Sequence, residues 1–115
     1  MDLPQGRRGG GMIVVAISTF SNEEAAAQAV GILVEEKWIA CGTILPGARS
    51  IYRWENKLQD EAEVMVLMKT VEHQLPGLEA RLLELHGYEV PEFIAFEVCR
   101  VSERYADWLK AMCGR

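Results

Sequence analysis

From Ile39 to Trp54 the chain reads IACGTILPGARSIYRW, and after Glu55 to Leu58 it becomes strand-like again from Asp60 to Thr70. Two extended segments joined by a short turn are a hairpin. In the second segment Ala62, Val64, Val66 and Met68 alternate as an apolar face, while Glu61, Glu63, Met65, Leu67 and Lys69 make a mixed one. Pro46-Gly47 must bend or bulge the first segment, because proline donates nothing to a sheet ladder and glycine relaxes the backbone. Fully extended, Cys41 to Trp54 spans roughly 46 Å. A compact domain of this chain's size has a diameter of roughly 35 Å. The hairpin is therefore expected to overhang its own sheet, and the overhang carries Ile51, Tyr52 and Trp54. A lone two-stranded ribbon is marginal in water and its bare edges invite aggregation. A closed homo-oligomer, in which each hairpin pairs with or packs on a neighbour, removes both problems.

The rest of the pattern supplies a sheet and helices for this hairpin. Met12 to Thr19 is apolar and β-branched, as expected of a buried strand. Ser21 with Glu24 three residues later has the capping-box pattern, and Ala26, Ala29, Val30, Leu33 and Val34 then recur at helical spacing. A second helix is expected from about Glu72 to His86, with Pro76 in its first turns. Leu75, Leu78, Leu82 and Leu85 form its apolar stripe, and Gly87 suits a left-handed cap. Glu92 to Val98 reads as the last strand, and Ser102 as the cap of a short terminal helix bearing Tyr105, Trp108, Leu109 and Met112. The order β-α-β-β-α-β-α predicts an α+β, ferredoxin-like sandwich with an extra C-terminal helix. Residues 12–115 are read as one domain behind a Gly- and Pro-containing leader, 1–11, expected to be disordered.

Charge narrows the function. The 115 residues carry 12 Lys plus Arg against 17 Asp plus Glu, a net charge of −5. Binding to a phosphate backbone rests on clustered positive charge, so nucleic acid is not an expected partner. No apolar run approaches the ~20 residues that cross a bilayer, so no membrane is expected either. The N-terminal stretch lacks the apolar segment of a secretory signal. The three cysteines, Cys41, Cys99 and Cys113, are widely spaced and odd in number. Both facts fit a reducing cytoplasm better than a disulfide framework. No catalytic motif is present, and two histidines leave few groups for acid–base work, so an enzyme is not expected.

Several side chains invite a binding role. Tyr52 and Trp54 share one strand face, with Ile51 and Arg53 on the other. They suit either a stacking platform or a subunit contact. Cys41 reads as a small core residue or a soft metal ligand. His86 reads as a helix-end cap or a ligand. Glu63 and Lys69 are about 20 Å apart along one strand, too far to pair with each other. Each is expected to meet a charge on a neighbouring strand or subunit, or to bind a ligand. Glu89 and Glu92 flank Pro91 as solvated loop carboxylates or as ligands for a hard cation.

Residues 33–70, LVEEKWIACGTILPGARSIYRWENKLQDEAEVMVLMKT, followed by HGYEVPE at 86–92, closely resemble the CutA divalent-cation-tolerance family. Tyr105 and Trp108 fall where that family carries a Tyr and a Trp in its last helix. The resemblance covers about residues 12–112. It implies a tight homotrimer of ferredoxin-like protomers, similar in architecture to the PII signalling proteins. It also implies a role in tolerance of divalent metals, copper binding in some members, and no firmly established catalysis. Ser18 stands where some members carry a cysteine, and Leu85-His86-Gly87 where they carry His-His-Pro. The metal candidates that remain are His86 and Cys41, with no obligatory cofactor and Cu(II) or another divalent cation as the expected ligand. Tyr52, Trp54, Glu63, Lys69, Tyr88 and Glu89 are the candidates for an intersubunit cleft. An alternative is a PII-like sensor that takes a small anion there, with Arg53 and Lys69 supplying the positive charge.

Overall fold

A computed structural model describes residues 12–113. The expected leader, 1–11, lies outside them. The elements run β1 (Ile13–Phe20), α1 (Glu23–Glu35), β2 (Cys41–Trp54), β3 (Lys57–Val71), a single 3-10 turn (Glu72–Gln74), α2 (Leu75–Leu85), β4 (Ile94–Glu97) and α3 (Glu103–Met112). The four strands form one antiparallel sheet in the order β2-β3-β1-β4. This is the α+β arrangement expected, with its third helix after the last strand.

Side-chain alternation sorts the sheet into two faces. Ala16 and Phe20 of β1 and Val64, Val66 and Met68 of β3 pack under the helices with Ala26, Ala29, Leu33, Leu78 and Leu82. A second, smaller cluster holds α3: Leu109 and Cys113 pack on Ile13, Ala40 and Val71. Ser18 lies in the first of these layers, fully buried, and its hydroxyl has no hydrogen-bond partner among the described residues. An unsatisfied buried hydroxyl of this kind costs about 1–3 kcal/mol.

The hairpin overhangs, as its length requires. β1 pairs with β3 only from Val71 to Val64, so Lys57 to Glu63 have β2 alone as a neighbour. The chain accordingly measures 49 × 30 × 23 Å. The register slips between Leu45 and Ala48, where Gly47 adopts φ +88. This is the bulge that Pro46-Gly47 requires.

Some boundaries differ from the sequence reading. The turn is only Glu55-Asn56, both left-handed at φ 51 and φ 66, so β3 starts at Lys57 rather than Asp60. Asn22, not Ser21, caps α1: its side-chain oxygen accepts from the Ala25 N–H at 2.8 Å. Ser102 precedes α3 but makes no side-chain cap bond. Helix α2 is shorter than expected, its first turn being the 3-10 segment. It ends in an extended His86, and Gly47 is the sole described glycine with positive φ, so Gly87 is not a left-handed cap. The cause is tertiary, because the His86 ring is drawn toward β1.

Candidate functional site

The overhanging ribbon and the loop after α2 enclose a cleft of about 600 Å³. Tyr52 and Trp54 of β2 form one wall, with Ser50 on the same strand face. Glu61 and Glu63 of β3 form the floor beside them, and the loop contributes Tyr88, Glu89, Val90 and Glu92. Thr19, near the end of β1, and Ile51 complete the lining. Four carboxylates and three aromatic rings thus converge on one space, and among the described residues no lysine, arginine or histidine lines it.

His86 builds this cleft without lining it. Its ring stacks on Phe20, centroids 4.3 Å apart, and meets the Tyr88 ring at 4.7 Å. Nε2–H donates to the Thr19 carbonyl at 2.7 Å, and Nδ1 accepts from the Tyr88 N–H at 3.1 Å. The loop is thereby pinned to the end of β1, with Tyr88 turned toward β3. The Tyr88 hydroxyl donates to Glu63 Oε2 at 2.7 Å. Burial first, and then the Glu63 carboxylate, push the Tyr88 phenol well above its ordinary value. Tyr52 is also raised, by burial first and then by the charges of Glu61 and Glu63. Its hydroxyl reaches Glu61 at 3.5 Å.

Glu63 is only 7% exposed. Its Oε1 has no hydrogen-bond donor among the described residues, and no cation pairs with the carboxylate. That second oxygen, Oε1, is open to the cleft.

Five of the six expected cleft residues come together: Tyr52, Trp54, Glu63, Tyr88 and Glu89. Lys69 does not. It sits opposite Cys41 in the ladder, where its ammonium bonds Thr43 Oγ1 and lies 3.8 Å from Cys41 Sγ. Neither Glu63 nor Lys69 meets an opposite charge within the described chain; each makes a hydroxyl contact instead. Within one protomer the two metal candidates, His86 and Cys41, do not come together. Thr19, which holds His86, is opposite Met65, whereas Cys41 is opposite Lys69. Four residues of strand put these positions about 13 Å apart, and both nitrogens of the imidazole are already engaged. Among the described residues no three His, Cys, Asp or Glu side chains are grouped to hold a metal.

Glu61 and Glu92 are cleft residues that the sequence reading did not place there. Glu61 had a signal, since it lies two positions from Glu63 and so shares its strand face. Glu92 required the path of the loop.

The profile of the family described as CutA1 divalent ion tolerance protein matches residues 14–112. The chain belongs to that family. The "Divalent-cation tolerance protein CutA" of Thermus thermophilus is 39% identical over 87% of this chain and 97% of its own length. A solved structure described as divalent cation tolerance protein (Cut A1) from Thermus thermophilus superposes with a TM-score of 0.86, covering 90% of this chain and 100% of that one. "Protein CutA, chloroplastic" of Arabidopsis thaliana is 37% identical over 84% of this chain but only 53% of its own length. This chain therefore spans about half of that relative. The family is not known to catalyse a reaction. No described helix is long and apolar enough to cross a membrane.

Proposed function

We propose that this chain forms a cytoplasmic homotrimer that acts, without catalysis, in the response to divalent metal cations, and that its cleft takes a cation. The observation that carries the cation reading is the lining itself: Glu61, Glu63, Glu89 and Glu92, with no basic residue among the described ones. An anion site needs positive charge or clustered N–H donors. Within the protomer neither Arg53 nor Lys69, the charges of the PII-like anion reading, lines this cleft, which favours the cation.

The trimer is supported by surface that one protomer leaves uncovered. Lys57 to Glu63 and their β2 partners form a ribbon without a third strand. On the sheet face away from α1 and α2, Leu45, Ile94 and Phe96 are 43%, 54% and 48% exposed. These apolar side chains on a single face are what an isologous or cyclic contact buries. The cytoplasmic assignment is supported by three cysteines, none in a disulfide.

A melting-temperature screen tests the charge preference. Ligands that bind the folded state raise the melting temperature by mass action. Cationic ligands, tested as divalent metal salts and organic amines, are expected to raise it in at least one of the two classes, and nucleotides and dicarboxylates to leave it unchanged. A rise with nucleotides and none with the cations would overturn the reading.

A further inference from the structure

We infer that the cleft is a receptor for an organic dication, a linear aliphatic diamine or polyamine. The inference rests on the cation reading above and names the chemical class of the ligand. Its decisive feature is Glu63, buried at the floor of the cleft with Oε1 lacking a donor. A primary ammonium carries three N–H donors and one positive charge, so it supplies both things this carboxylate lacks.

The walls select the rest of the ligand. Tyr52, Trp54 and Tyr88 surround the same space. Aromatic faces attract ammonium groups and also cover methylene chains. A bare metal ion uses neither property. A hard divalent ion instead takes six or more oxygens within about 2.6 Å, and the described residues hold no three grouped ligands to start such a shell. The cleft's volume of about 600 Å³ falls in the range of small-molecule sites, not of single ions.

Charge count sets the valence. One ammonium compensates Glu63. Glu89 and Glu92 on the loop, with Glu61 on β3, remain to receive a second. The ligand therefore places one ammonium on Glu63 Oε1, its methylenes along the aromatic rings, and its other ammonium toward the loop carboxylates. The Tyr88 hydroxyl keeps Glu63 oriented by occupying Oε2, which leaves Oε1 for the ligand.

Calorimetric titration of the full chain with diaminobutane tests this, with butanediol as the neutral analogue of equal length and Mg(II) as an inorganic dication. Saturable binding of diaminobutane and none of butanediol is expected. Glu63→Gln removes the buried charge and should weaken binding by roughly tenfold or more. A Glu89→Gln/Glu92→Gln variant, altered only in the loop, should weaken diaminobutane more than it weakens a monoamine of the same length. Equal binding of diaminobutane to wild type and to both variants would overturn the proposal. So would binding of metal ions with no binding of diaminobutane, a result that leaves the broader cation reading intact. Light scattering on the same samples reports the oligomer separately. A basic side chain of a second copy lodged in the cleft would show as a trimer that excludes diaminobutane, and that result also overturns the proposal.

Discussion

At the scale of single residues, the cleft depends on a chain of contacts that starts away from it. Phe20 stacks on His86, His86 holds the Tyr88 backbone, and Tyr88 orients Glu63. His86 matters here as a structural pin, because both of its nitrogens are used by the backbone. All three tyrosines, Tyr52, Tyr88 and Tyr105, have phenols raised above the ordinary value, each with burial as the largest cause. The sign of the linkage follows. A raised folded-state pKa favours the protonated phenol, so the contribution to stability is fully present below the unfolded value of about 10. It is lost as pH rises through the folded values. Spectrophotometric titration of the native protein should give a tyrosinate midpoint above that of the chain in denaturant. Coincident curves would contradict the raised values. The residue types of the cleft were legible in sequence, since Tyr52 and Trp54 alternate correctly and Tyr88-Glu89 stand together. What was not legible was the partner of each polar group. The position of Lys69 depends on the β2–β3 register beyond the bulge, and the role of His86 depends on contacts across 67 positions of sequence.

At the scale of elements, the hairpin dominates. Its length, its bulge at Pro46-Gly47 and its overhang follow from an unbroken extended pattern longer than a domain of this size. Its turn did not follow, because Glu55-Asn56 lacks the glycine that usually marks a two-residue connection. Both residues are nonetheless left-handed, as such a turn demands, and a glutamate there is strained. Replacing the pair by Asn-Gly, with Glu55→Asn and Asn56→Gly, should stabilise the protein by about 1 kcal/mol. Chemical denaturation would measure it, and a loss of stability would contradict the turn geometry. The helices were legible through their apolar spacing: Ala26, Ala29 and Leu33 of α1 and Leu78 and Leu82 of α2 are the buried positions. The helix ends were less so. Asn22 competes with Ser21 for the cap of α1, and the end of α2 is set by where the His86 ring finds Phe20.

At the scale of the whole molecule, one protomer leaves a ribbon and part of a sheet face exposed. Its elongated shape, 49 × 30 × 23 Å, comes from a ribbon that no third strand among the described residues supports. On the sheet face away from α1 and α2, Leu45, Ile94 and Phe96 are exposed beyond the end that α3 covers, and Tyr52 and Trp54 are 40% and 39% exposed on the ribbon. In the proposed trimer, which closes on these surfaces, the aromatic motif has two duties: it joins the subunits, and it walls the acidic cleft proposed for a cation. Size-exclusion chromatography with multi-angle light scattering, on wild type and Trp54→Ala in parallel, tests this account most directly. The wild type should elute at three times the mass of the chain, and Trp54→Ala should shift toward smaller or aggregated species. A monomeric wild type, or a Trp54→Ala trimer with an unchanged melting temperature, would contradict it.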